Sequence, residues 1–395
     1  MTGGGKVPGR EGERPTMTVP AAQGSPATEN ATVAGRGSGD VGDDQAFWRS
    51  KTTIGAAVYL VAVVAVLFGG SQFTLYEGTL IATYGIVTVA QDWIFGRAGL
   101  VSLGPAAIMA VGAFTTARLS TEGWGVFPVP LLISFVFGGV IGLLIGIPGL
   151  RFRGLYLMLT TLALQFIISF AAEQYQGVNR EAGFTVTPPS WGSLQLANPQ
   201  PLFLISVILL GLVLLGLSGI HGGAPGRAWN AIRQNETAAS VLGINLVRWK
   251  LAAFIGSSAV IAAAGSVYAY QIGQVQYTTF SLDLSLTLVV MVFIGGVGTL
   301  IGPIIGAVGV VLLPQGIQEI SNLFSGMPSV SGWLQLNEGI VADGIYGLLL
   351  LLLLIFERGG LVAVGQRLGR GAVAAGRLAV RASAPRIRRT NARNP

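Results

Sequence analysis

The chain contains no cysteine and a single histidine, His221. It therefore has no disulfide framework, no thiolate nucleophile and no cysteine metal site, and one imidazole cannot build a histidine-based metal centre. Charge is also scarce. Asp, Glu, Lys and Arg make up 10% of the 395 residues, against roughly 25% in a soluble domain. No G-x-x-x-x-G-K-[ST] loop is present, so the chain holds no ATP through a P-loop; Gly3-Gly4-Gly5-Lys6 has no strand before it. No nucleophile–base pair and no metal-ligand cluster stands out. The expectation is a chain that is not an enzyme, binds no cofactor and no metal, and does not read nucleic acid.

What the chain has instead is apolar length. Hydrophobic residues make up 51%, glycine accounts for 58 positions, and the mean hydropathy is +0.65. This composition predicts an all-α integral membrane protein, a polytopic helical bundle of about 8–10 transmembrane helices with some broken or re-entrant segments. Apolar runs lie at 54–69, 78–95, 99–118, 127–147, 155–172, 202–219, 251–271, 284–296, 301–317 and 339–356. The runs at 284–296 and 301–317 are short, and read as two half-spans or one broken segment. The abundant glycine suits such a bundle, because small residues let helices approach closely in lipid.

Residues 1–50 read as a disordered cytoplasmic tail, poor in large apolar residues and without a signal-peptide core. Residues 51–358 form the membrane domain, with a cytoplasmic loop at 220–250, and 359–395 a basic cytoplasmic tail. Placing the N-terminus inside and alternating ten spans leaves 22 of the 24 Lys and Arg residues inside. Only Arg118 and Arg180 fall outside, as the positive-inside bias requires. After Glu357 there is no acid, and nine arginines follow from Arg358 to Arg393. The simplest role for that tail is contact with an anionic inner leaflet.

Two clusters interrupt the apolar runs. Gly99, Ser102, Gly104 and Pro105 form one, beginning just after Gly96; Gly295, Gly296, Gly298, Gly302 and Pro303 form the other. Irregular backbone at membrane depth is tolerated where it lines protein or a water-filled cavity, so these residues are candidates for a pathway or gate, with close packing as the competing role. Ser102 could offer its hydroxyl to a polar solute. Asp92 is the one carboxylate well inside a run; pairing with Arg97 or interfacial exposure is the favoured reading. Thr160 and Thr161 are expected to bond their own helix. His221 is expected to be a solvated loop residue, and Trp124, Trp191 and Trp333 to be interfacial aromatics.

One polar stretch stands between apolar runs: GRAWNAIRQNETAASVLGINLVRWK, residues 226–250. Ala228, Ala231, Ile232, Ala239 and Leu242 recur at roughly helical spacing, so one amphipathic helix over 228–242 is expected, closed by Gly243. It would lie against the headgroups or dock a soluble partner, with Arg233 and Glu236 free to pair across the contact.

Glu236-Thr-Ala238-Ala239 followed by Gly243 resembles the "EAA…G" signature of bacterial ABC-importer permeases. GRAGLVSLGPAAIMAVGAF (96–114), RGLYLMLTTLAL (153–164), the 226–250 loop and FIGGVGTLIGPIIGAVGVVLL (293–313) resemble, in the same order, the branched-chain amino acid permease family of the LivM type. Two blocks depart from it: Pro105 stands where a His or Gln is usual, and GVNREAGFTVT (177–187) replaces a "TGG…G" stretch. The resemblance implies a permease subunit of an ATP-driven importer in the bacterial cell membrane, with both termini cytoplasmic. Its partners would be a second homologous permease, two ABC ATPase subunits that carry the ATP, an extracellular solute-binding protein and the lipid bilayer. Arg233, Glu236, Ala238, Ala239 and Gly243 would then couple the chain to the ATPase. The solute would be a branched-chain or other hydrophobic amino acid, with urea or short amides as the alternative. An ion-coupled secondary transporter is the alternative outside the family.

Overall fold

The computed structural model describes residues 69–149, 155–179, 183–188, 199–323 and 336–356, with isolated positions elsewhere. The chain divides into two units, Met1–Ala62 and Val63–Pro395; in the first only Gly3 and Gly4 are described. The expected span at 54–69, apart from Leu67 and Gly69, and both expected tails, apart from Gly3, Gly4, Gly360 and Leu361, therefore lie outside the described residues.

The described chain is almost wholly helical. Helices α1 (Gln72–Asp92), α2 (Pro105–Thr121), α3 (Val129–Gly149), α4 (Leu155–Asn179) and α5 (Pro199–Gly222) come first. Two short helices follow, α6 (Ala224–Gln234) and α7 (Glu236–Val241), then α8 (Leu246–Ile272), α9 (Leu282–Gly295), α10 (Gly302–Leu323) and α11 (Glu338–Phe356). Six helices among the described residues are long and apolar enough to cross a bilayer: Gln72–Ala98, Val129–Ile147, Tyr156–Val178, Pro199–Gly222, Leu246–Ile272 and Gly302–Asn322. α9 is shorter, as its run of apolar residues suggested, whereas α10 is a full-length span of 22 residues rather than a half-span.

Three local departures from the sequence expectation have clear causes. α1 does not stop at Asp92 but passes into a π-helical turn, Trp93–Ala98, the kind of irregularity that marks functional sites. Pro105 and Pro303 do not interrupt helices; they stand in the first turns of α2 and α10, where a missing N–H costs nothing. Small two-residue strands also form. Phe184–Thr185 (β1) pairs with Gln274–Val275 (β4), and Ser190–Trp191 (β2) with Leu194–Gln195 (β3).

Helices α1, α2 and α8 form the interior, and α8 packs against all of α1, α2 and α3. Glycine sets how close they come. A Cβ on Gly112 would lie 1.8 Å from the Ala262 carbonyl oxygen, and one on Gly265 would lie 2.1 Å from that of Met109, so α2 and α8 meet backbone to backbone. On α3, Gly138, Gly142 and Gly146 stand four apart and face Ser258, Ala262 and Leu251 of α8, one small-residue face per turn. Buried hydroxyls tie the same helices: Thr116 Oγ1 donates to Ser266 Oγ at 2.7 Å and Ser134 Oγ donates to the Gly112 carbonyl at 3.0 Å. The outer helices turn large apolar side chains away from the bundle, among them Val136 and Leu144 on α3, Ile167 and Phe170 on α4 and Leu212 and Leu215 on α5. In water such a surface would cost about 25 cal/mol per Å²; in lipid it costs nothing.

At the end of α8 remote from α7, aromatic rings close the bundle. Tyr175 stacks on Phe184 at 5.4 Å, Phe114 meets Phe184 edge-on at 6.0 Å, and Tyr268 meets Phe280 at 6.0 Å. The β1–β4 pair and the Tyr277 N–H, which donates to Gln176 Oε1 at 2.8 Å, hold this layer in place.

Candidate functional site

The polar stretch folds as two helices rather than one. Asn235 adopts an extended conformation between α6 and α7, and its Oδ1 accepts the Ala238 N–H at 3.0 Å. Asparagine is a weak helix former and a strong N-cap, so a helical pattern that continues through it splits there. Gly243 ends the second helix in the left-handed region, φ +81°. Ala228, Trp229, Ile232 and Ala239 are buried. Leu242, expected on that apolar face, instead points outward with Val241; the two are 78% and 83% exposed.

This pair of helices is bolted to the bundle at three points. Trp229 lies edge-on to Trp93 at 5.3 Å and to Trp249 at 6.0 Å, and its indole N–H donates to the Trp249 carbonyl at 2.8 Å. Glu236 pairs with Lys250 of α8 at 2.6 Å. Lys250 is buried and Glu236 only partly so, so losing Glu236 would strand a desolvated ammonium. Arg233 Nη1 donates to the Gly96 carbonyl in the π turn. Arg233 and Glu236 thus each make one contact within the chain while keeping part of the side chain exposed. Ala238 stays exposed beside Val241 and Leu242.

Asp92 is neither exposed nor in a salt bridge with Arg97, although the Arg97 charge lies near enough to act on it. It is 5% exposed, and its Oδ1 accepts the Gly298 N–H at 2.7 Å. Gly298 sits at φ +87°, which only glycine adopts without strain. A Cβ on Gly96 would lie 2.5 Å from Gly298 Cα, so the two glycine clusters, read separately in the sequence, touch. Gly295 packs on Gly302, where a Cβ would stand 1.9 Å from the Gly302 carbonyl oxygen. Between them Thr299 Oγ1 donates to the Gly296 carbonyl and accepts the Gly302 N–H, both at 3.0 Å.

At the other cluster several backbone groups are already satisfied. Thr161 Oγ1 accepts the Leu103 N–H at 2.9 Å, Ser285 Oγ that of Ala106 at 3.0 Å, and Gln165 Oε1 that of Ala107 at 2.8 Å. Gln91 Nε2 donates to the Ser102 carbonyl at 3.2 Å, and Ser102 is buried. Gly104 approaches the Thr161 carbonyl, which a Cβ would meet at 2.8 Å. In this conformation the start of α2 offers its amides to α4 and α9 rather than to a solute. Gly99 faces Arg233, whose Cα a Cβ would meet at 4.0 Å. His221 is no solvated loop residue: it closes α5, half-buried, with both ring nitrogens buried and without a hydrogen-bond partner among the described residues. Thr160 and Thr161 bond their own helix, to the Tyr156 and Met158 carbonyls.

These contacts place the polar 226–250 stretch and both glycine clusters at one end of one bundle. A family model described as "Branched-chain amino acid transport system / permease component" matches residues 73–355. The chain belongs to this family. It is similar to the high-affinity branched-chain amino acid transport system permease protein LivM of Escherichia coli K12, 30% identical over 296 residues, covering 68% of this chain and 69% of that protein. The LivM protein of Salmonella typhimurium LT2 matches equally, 30% over 300 residues with the same coverage. The autoinducer 2 import system permease protein LsrC of an Enterobacter species matches at 29% over 190 residues, 46% of this chain and 53% of that protein. No solved structure matches. The chain is therefore a multi-pass membrane permease subunit of an ABC importer, and the matched span contains α6, α7 and both helix breaks.

Several residues of this permease's junction carry no motif. Trp229 and Lys250 act through partners that no local spacing connects. Gln165 does carry a signal: it is an amide in the middle of an apolar run, and polar side chains inside spans bond across helices.

Proposed function

We propose that this permease moves branched-chain or other hydrophobic amino acids inward, delivered by an extracellular solute-binding protein and driven by two ATPase subunits that grip α6–α7. α6–α7 and both termini then face the cytoplasm, and a second, homologous permease completes the pathway. The observation that carries this reading is the lever itself. Val241 and Leu242 stand out at its tip, while Arg233, Glu236 and Trp229 fasten its other side to the spans. A soluble partner that moves such a tip must move the bundle. The names of the LivM relatives supply the solute class.

The two helix breaks fit a gate better than an open binding site, because side chains of α4 and α9 occupy the amides of Leu103, Ala106 and Ala107. Gly99, Ser102, Gly104 and Pro105 form one jaw; Gly295, Gly296, Gly298, Gly302 and Pro303 form the other. An ion-coupled mechanism draws no support from Asp92, whose buried carboxylate accepts a backbone N–H.

Replacing Val241 and Leu242 together by Asp places two charges on the exposed tip without disturbing the buried face. Loss of two apolar anchors costs about 2 kcal/mol or more of docking energy, so ATPase affinity for the detergent-solubilised permease should fall about 30-fold or more. Helical content and membrane insertion should stay as in the parent. Unchanged ATPase affinity would remove the lever tip from the contact.

A further inference from the structure

We propose that Asp92 and Arg233 form a relay that carries movement of the α6–α7 lever into the break between α9 and α10. This inference rests on the reading that an ATPase moves the lever, and it names the residues through which that movement reaches the membrane.

Three segments remote in sequence meet at one point: the end of α1 with its π turn, the loop after α9, and the lever. Asp92 Oδ1 holds the Gly298 N–H at 2.7 Å. Arg233 donates to the Gly96 carbonyl, and a Cβ on Gly298 would stand 3.1 Å from Arg233 Nη1. Gly96 and Gly298 lie against each other between the two charged side chains. The lever thus touches both walls of the junction through one guanidinium. The loop it touches, residues 296–301, belongs to no helix, and the Thr299 hydroxyl spans it from the Gly296 carbonyl to the Gly302 N–H.

The charge on Asp92 gives the relay two positions. A carboxylate at membrane depth is costly unless compensated, and here the compensation comes from the Gly298 N–H and from the nearby guanidiniums of Arg97 and Arg233. Withdrawal of Arg233 with the lever removes one of those charges and one wall of the Gly96–Gly298 contact together. The 296–301 loop is then released from α1, and the jaw it forms can open. A neutral, apolar residue at position 92 would leave the loop indifferent to the lever.

The test uses the complete importer in proteoliposomes and reads amino acid transported per ATP hydrolysed. Asp92→Ala should lower this ratio about tenfold while hydrolysis continues, a coupling change within the usual range. Asp92→Asn keeps an acceptor oxygen but removes the charge that answers Arg233, and should lower the ratio nearly as far. Arg233→Ala removes a side chain at an exposed position and should give a similar loss. The double variant Asp92→Ala/Arg233→Ala should be no worse than either single change, as expected for residues acting in one path. Should Asp92→Ala fail to assemble, the same cycle with Asp92→Asn and Arg233→Ala decides the matter through its non-additivity. Parental ratios in the single variants, or losses that simply multiply, would overturn the relay. A parent complex that transports without hydrolysing ATP would instead overturn the ATP-driven reading itself, whatever the variants do.

Discussion

Gly112→Ala should destabilise the bundle by about 3 kcal/mol or more, the upper range for overpacking a close-packed interior. The added methyl would stand 1.8 Å from the Ala262 carbonyl oxygen and 2.9 Å from Ala262 Cα. These are backbone atoms of α8, so no side chain can rotate away. α2 and α8 would have to separate, and with them go the reciprocal Gly265–Met109 contact and the hydrogen bonds from Thr116 and Ser134. Lipid offers no hydrophobic drive to push the helices back together, since packing and hydrogen bonds carry the association. Denaturant unfolding of the detergent-solubilised permease measures the effect. Gly211→Ala on α5, where the added Cβ meets nothing within 4 Å, supplies the comparison and should shift stability by less than about 0.5 kcal/mol. Equal stability of the two variants would mean that α2 and α8 do not approach as described.

Gly96→Ala should leave the bundle folded and remove transport. Its Cβ would lie 2.5 Å from Gly298 Cα and 2.6 Å from Asp92 Oδ1. The π turn and the 296–301 loop would be pushed apart where Arg233 and Asp92 join them. The turn lies at the end of α1, where local backbone shifts absorb the strain, so the stability loss should stay near 1 kcal/mol. Uptake should fall about 100-fold, near the top of the range for coupling energies, with ATP hydrolysis by the complex continuing. Uptake close to that of the parent would show that the Gly96–Gly298 contact plays no part in the cycle.

The extent to which these features can be read from the sequence follows from the distance over which each is determined. The end of the lever at Gly243 was legible, because a glycine after a helical run is a local stop. So was the break between α9 and α10, since Gly295, Gly296, Gly298 and Gly302 crowd into eight residues. The division at Asn235 was not, because alanines on either side continue the helical period through a residue that prefers to cap. Pro105 and Pro303 were legible as irregularities but not as helix starts, which depend on where the preceding segment stops. The partners of Asp92, Arg233 and Glu236 lie 206, 137 and 14 residues away, and only the packing of α1, α8 and the lever brings them together. The burial of His221 arises in the same way, from the turn that folds α6 back on the end of α5, where a Cβ on Gly226 would meet the His221 carbonyl oxygen at 2.1 Å.

The central claim is that this chain is a passive bundle worked from outside the membrane through α6–α7. The most direct measurement is uptake of leucine, isoleucine or valine into proteoliposomes holding the permease pair with and without its ATPase subunits. Accumulation that requires the ATPases and hydrolysable ATP, and that ignores imposed proton and sodium gradients, is the predicted result. Accumulation by the permease alone under an ion gradient would contradict the account.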